Sequence, residues 1–171
     1  MALHLVNAVD RPNFGICLDS FHEITNFRAS PFAISGKYPN ADLALSGSLR
    51  DFKEKFPLEK IFYVQLSDGE KFDLPFSTQR LWCLAGEAPK FTWSKHARPF
   101  TLEAELGGYM PVVDVVKAWV LNKKFMGWVS LEVFNRRMRD EGFRVETAGI
   151  RARDSWRGIQ EAMTIGTECN L

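Results

Sequence analysis

Four side chains able to hold a cation or move a proton recur at comparable places in this sequence: Asp19, His22, Gln65 and Glu132. In Phe14-Gly-Ile-Cys-Leu-Asp-Ser-Phe-His22, Ile16 and Leu18 alternate with Cys17 and Asp19, the two-residue period of a pleated strand. If Ile16 and Leu18 face helices, Asp19 faces the other way. A carboxylate there is costly to bury unless it meets a cation or hydrogen-bond donors. His22 follows three residues later. The pair offers an anionic metal ligand and a neighbouring imidazole donor. The plainer alternative is an aspartate that caps the next helix, beside a solvated histidine.

The same logic applies to two later apolar runs. In residues 60–68, Phe62, Val64 and Leu66 fall on one side and Ile61, Tyr63 and Gln65 on the other. The Gln65 amide oxygen could ligate a metal or hold a substrate hydroxyl, or it could be a buried amide bonded to backbone. In residues 128–134, Val129, Leu131 and Val133 form one face, and Trp128, Ser130 and Glu132 the other. Three strands therefore each carry an oxygen donor on the face turned away from the helices.

The elements that must position these groups alternate. Residues 3–9 read as the end of a helix with Leu5, Ala8 and Val9 on one face. A strand at 14–19 is followed by a loop over 23–40. A helix fits 41–55, with Leu45, Leu49, Phe52 and Phe56 as its apolar stripe. After the strand at 60–68, residues 69–96 lack clear periodicity. Phe72, Phe76, Trp82, Phe91 and Trp93 are too many aromatics for disorder, so this stretch reads as an ordered lid or pocket wall. Residues 97–100 suggest a short third strand with Arg98 at its mouth. A helix over 111–124, a strand over 128–134 and a helix over 147–163 complete the order, with a frayed tail at 164–171. Such alternation implies a parallel sheet covered by helices. A polar set on one sheet face suits the interior of a (β/α)₈ barrel, whose sites gather at the carboxyl-terminal mouth.

The 171 residues allow one domain with a sizeable core. A net charge of +1 gives no electrostatic case for nucleic acid or an anionic membrane. Three scattered cysteines (Cys17, Cys83 and Cys169) argue against a disulfide framework and fit a reducing compartment. No apolar run has the length of a membrane span and no secretory signal is visible, so a cytoplasmic location is expected.

Cys17-Leu-Asp-Ser-Phe-His22, Phe62-Tyr-Val-Gln-Leu-Ser-Asp68, Trp93-Ser-Lys-His-Ala-Arg98, Gly107-Gly-Tyr-Met-Pro-Val112 and Gly127-Trp-Val-Ser-Leu-Glu-Val-Phe-Asn135 resemble the xylose-isomerase-like TIM-barrel superfamily of sugar-phosphate isomerases and epimerases. Within it they are most similar to 3-dehydroshikimate dehydratases. The resemblance implies a partial barrel over residues 1–171, roughly strands five to eight with their helices. It implies a divalent metal, Mg²⁺ or Mn²⁺, held by Asp19, Gln65 and Glu132, since oxygen-rich ligation suits a hard cation better than zinc. It implies that His22 faces the substrate and donates to a hydroxyl, as a catalytic and substrate-binding residue, and that Arg98 pairs with the substrate carboxylate. The implied reaction is loss of water from 3-dehydroshikimate to give protocatechuate, a step of quinate and shikimate breakdown. An isomerase or epimerase acting on a sugar-like polyol would use the same metal. The family's first glutamate ligand and its proton-abstracting base have no counterpart here. Three readings follow: part of a longer enzyme, two copies pairing as a homodimer, or a non-catalytic remnant with a binding role.

Overall fold

The computed structural model describes residues 2–80, 82–83 and 85–164. Helix α1 (Ala2–Val9) leads to strand β1 (Ile16–Asp19), which passes directly into α2 (Ser20–Phe27). Helix α3 (Ala41–Lys55) and strand β2 (Ile61–Leu66) follow, then α4 (Pro89–His96) and the two-residue strand β3 (Ala97–Arg98). Helix α5 (Val112–Val116) continues as a π turn over Lys117–Leu121. Strands β4 (Trp128–Leu131) and β5 (Phe134–Asn135) precede the long helix α6 (Val145–Thr164). No described helix is long and apolar enough to cross a membrane.

The sheet runs β1-β2-β4 and both pairings are parallel. Its register places Asp19 opposite Gln65 and Gln65 opposite Ser130. Residues paired in register share a sheet face, so these three point the same way. On the other face Leu18, Val64 and Leu66 are 8%, 0% and 0% exposed, because α2 packs over β1 and β2 and all three side chains share one core with residues of α3 and α5. Burying each such side chain contributes about 1.5–3 kcal/mol, which fixes the register: a one-residue slip would turn the whole set outward. The polar face stays half-open, with Cys17 and Trp128 exposed. Among the described residues the outer edges of β1 and β4 have no strand partner.

Several expectations are corrected. The loop expected over 23–40 begins as α2, whose Phe21 and Ile24 enter the core. The strand-to-helix change takes a single residue because the Asp19 side chain caps the helix, accepting from the His22 backbone N–H at 3.1 Å. Helix α4 lies inside the stretch read as aperiodic. It buries Thr92, Trp93, Ser94 and His96 together, so no apolar stripe shows in the sequence. Helix α1 buries Val6 and leaves Leu5 and Val9 exposed, the opposite of the expected face. The stretch 128–134 is two strands: Glu132 and Val133 form the break, and Phe134–Asn135 turns to pair antiparallel with Ala97–Arg98. The short strand at Ala97 is thus a separate ribbon, and β2 lies directly beside β4. Most of the tail, residues 165–171, lies outside the described residues.

Other expectations match. Helix α3 spans the expected residues, with Leu45 and Phe56 buried and Leu49 and Phe52 packed against the core. Trp156, Ile159 and Met163 of α6 face the core as their spacing predicts. The Phe72, Phe76 and Trp82 rings pack against one another in tilted and edge-on contacts, so the first part of the long connection is ordered by aromatic packing.

Candidate active site

Each donor sits where its strand ends. Asp19 is the last residue of β1, Gln65 the penultimate residue of β2, and Glu132 the first residue after β4. The Glu132 backbone N–H still donates to the Leu66 carbonyl at 2.9 Å, which holds it at the carboxyl edge of the sheet. Two steps past Ser130, its side chain returns to the Gln65 face.

The two carboxylates meet at a cation, the guanidinium of Arg98, and Gln65 joins them through Glu132. Nη2 of Arg98 lies 2.8 Å from Asp19 Oδ2 and 2.8 Å from a Glu132 carboxylate oxygen. Two oxygens so near one nitrogen can be no further apart than twice that distance. Gln65 Nε2 donates to Glu132 Oε1 at 3.0 Å, and Cys17 Sγ donates to Gln65 Oε1 at 3.0 Å. The Arg98 side chain is 1% exposed. Its Nε donates to Ser67 Oγ at 2.9 Å and its Nη1 to Ser94 Oγ at 3.4 Å, with the Phe21 and Phe134 rings against it.

The two carboxylates are electrostatically unequal. Burial alone would raise the pKa of Asp19. The adjacent Arg98 charge, a hydrogen bond with Glu132 and the His22 backbone N–H outweigh that and leave it lowered. Burial raises the pKa of Glu132, and the hydrogen bond and charge of Asp19 raise it further, beyond what Arg98 offsets. Burial, then the charges of Asp19 and Glu132, push up the Cys17 thiol, so it stays a protonated donor.

His22 stands at the rim in the first turn of α2. Its side chain is 61% exposed, and Nε2 lies 3.9 Å from Asp19 Oδ2. The cap alternative for Asp19 is realised by one oxygen, and its other oxygen pairs with Arg98. Arg98 sits deeper than its expected place at the mouth, and all three of its nitrogens are engaged.

Sequence reasoning missed Cys17, Ser67 and Ser94. Cys17 could have been found, because it lies two residues before Asp19 on the same strand face. Ser94 could not, because its spacing to Arg98 carries meaning only once α4 is known.

The donor set fits a hard divalent cation in kind. Two carboxylate oxygens converge on one positive nitrogen, and the Gln65 amide lies beside Glu132 with its oxygen turned to Cys17. The three side chains are three of the roughly six ligands such an ion takes, and no described cluster unites three or more His, Cys, Asp or Glu side chains.

A family model described as xylose isomerase-like TIM barrel matches residues 1–156. The chain belongs to that family. Its three-stranded parallel sheet and covering helices are accordingly part of a (β/α)₈ barrel. It is 38% identical over 165 residues to a 3-dehydroshikimate dehydratase of Neurospora crassa, covering 96% of this chain and 46% of the relative. A 3-dehydroshikimate dehydratase of Pseudomonas aeruginosa is 28% identical over 160 residues, covering 92% of this chain and 18% of the relative. The chain thus spans about half the length of the fungal relative and under a fifth of the bacterial one. A solved structure titled xylose isomerase-like TIM barrel/4-hydroxyphenylpyruvate dioxygenase fusion protein aligns with TM-score 0.57 and 25% identity, over 97% of this chain and 20% of that one.

Proposed function

We propose that residues 1–171 form the carboxyl-terminal half of a barrel domain and contribute the metal-binding part of a 3-dehydroshikimate dehydratase site. The observation that carries this reading is the meeting of Asp19, Gln65 and Glu132 from three adjacent strand ends. Asp19 and Glu132 would neutralise a Mg²⁺ or Mn²⁺ ion and Gln65 would add a neutral oxygen. The Gln65 amide now turns its N–H toward Glu132, so it would rotate to do this. When bound, the ion would polarise a substrate ketone as a Lewis acid.

The remaining chemistry falls to side chains. His22, exposed at the rim beside Asp19, is placed to give a proton to the hydroxyl that departs as water. The substrate loses that hydroxyl and a ring proton, which a base in the other half of the barrel would take, and the remaining ketone enolises to complete the aromatic ring. Arg98 can pair with a substrate carboxylate only by giving up Asp19 or Glu132, because every one of its nitrogens already donates. The substrate is a small polyol acid, and the site is expected to work in the cytoplasm.

The test is direct. The purified chain, supplied with the amino-terminal half of the related barrel, is incubated with Mn²⁺ and 3-dehydroshikimate, and the ultraviolet absorbance of a new catechol ring is followed. Catechol formation that disappears in Glu132→Gln supports the reading. Turnover that survives removal of all divalent metal rejects it. A second reading, a non-catalytic binding role, draws on the buried ion pairing of Arg98, which already engages both carboxylates with one cation. It predicts Mn²⁺ binding without catechol.

A further inference from the structure

We infer that Arg98 is a built-in counter-cation for this site, which holds Asp19 and Glu132 together and must give up their oxygens before a divalent ion can be held there. The inference rests on the metal-site reading above and deepens it.

All four carboxylate oxygens have assignable work. Asp19 Oδ1 accepts from the His22 backbone N–H at 3.1 Å, and Glu132 Oε1 accepts from Gln65 Nε2 at 3.0 Å. The remaining oxygens, Asp19 Oδ2 and Glu132 Oε2, face each other across Arg98 Nη2, 2.8 Å from each. An ion shared by the two carboxylates needs those same oxygens, which the guanidinium already holds. Like charges so close repel strongly where water is excluded. Arg98 and a divalent ion therefore compete for one place.

The slot is shaped for the arginine. Ser67 Oγ and Ser94 Oγ accept its other N–H groups, and the Phe21 and Phe134 rings lie 4.9 and 5.5 Å from its guanidinium carbon. Ser67 is itself fixed, its backbone N–H donating to Ser20 Oγ at 3.0 Å. A side chain meant only to greet a substrate would not be 1% exposed with every nitrogen occupied. Gln65 shows the carboxylates its donor end and gives its oxygen to Cys17, so it too supports their pairing with Arg98.

Two measurements test this on the 171-residue chain. In the unmodified protein, the Arg98 Nε–H resonance is followed by NMR during Mg²⁺ titration. Saturation should shift that signal and speed its hydrogen exchange. In Arg98→Met, which keeps the stem and removes the charge, Mn²⁺ affinity by electron paramagnetic resonance should rise by about tenfold or more. Arg98→Lys identifies the resonance if the methionine variant does not fold. If unmodified protein binds the ions while the Nε–H signal stays unmoved, or if Arg98→Met binds Mn²⁺ equally or more weakly, the inference is overturned and the metal site stands. If neither protein binds either ion at millimolar concentration, both fall.

Discussion

Asp68 should make this protein less stable as pH rises from about 4 to 6, and Asp68→Asn should remove that dependence. The Asp68 side chain is 3% exposed just beyond β2. Its Oδ1 accepts three backbone N–H groups, from Gly69 at 2.8 Å, Tyr109 at 2.9 Å and Met110 at 2.8 Å. Two effects oppose each other. Burial disfavours the charged carboxylate, and the backbone donors favour it. Burial is the larger, so the pKa is raised from 3.8 to about 6. The sign follows from proton counting. Between those two values the folded chain holds a proton that the unfolded chain has released, so stability is fully present below pH 3.8 and lost as pH climbs to about 6. About two pKa units correspond to about 3 kcal/mol, a large part of the ~5–15 kcal/mol that holds a domain folded. Asparagine keeps an oxygen for the three donors and cannot ionise. Urea unfolding of both proteins at intervals from pH 4 to 7 gives the comparison. The difference between their unfolding free energies should change by about 3 kcal/mol across that range, moving in favour of the variant. A difference that stays constant would mean the backbone donors win over burial, and the reasoning would fail.

The two candidate ligands should differ in structural weight. Asp19 is the more buried of the pair, 11% exposed against 28%, so Asp19→Asn should cost about 2–3 kcal/mol and Glu132→Gln about 1 kcal/mol in chemical denaturation, with Mn²⁺ affinity reduced in both. Equal stability losses would contradict a cost set by the unequal burial of the two carboxylates. A Cβ on Gly108 would lie 2.9 Å from the Glu103 carbonyl and 3.0 Å from Asp68 Oδ2. Gly108→Ala should therefore destabilise by about 1–3 kcal/mol, read from the denaturation midpoint. A midpoint unchanged from that of the unmodified chain would show that the loop yields freely.

The sheet was legible because its apolar residues alternate. Leu18, Val64 and Leu66 had to share a face, and that alone set Asp19, Gln65 and Glu132 on the other. Helix α3 was legible because its apolar stripe repeats at helical spacing. Helix α4 was hidden because it buries threonine, serine and histidine beside Trp93, so its inward positions make no apolar stripe. Helix α2 was hidden for another reason. Asp19 serves as both strand end and helix cap, and the stretch after it was read for its histidine alone. The depth of Arg98 could not be read either, because it depends on Ser67, Phe21 and Phe134 arriving from three separate segments.

The account stands most directly on where a bound ion sits. Crystals of the chain grown with Mn²⁺ and measured at an X-ray wavelength where manganese scatters anomalously would locate it. The expected result is one peak, roughly 2.0–2.6 Å from an oxygen of each of Asp19, Gln65 and Glu132, with the Arg98 guanidinium withdrawn. A map with no peak among those three side chains at saturating Mn²⁺, or with the ion bound elsewhere, would contradict it.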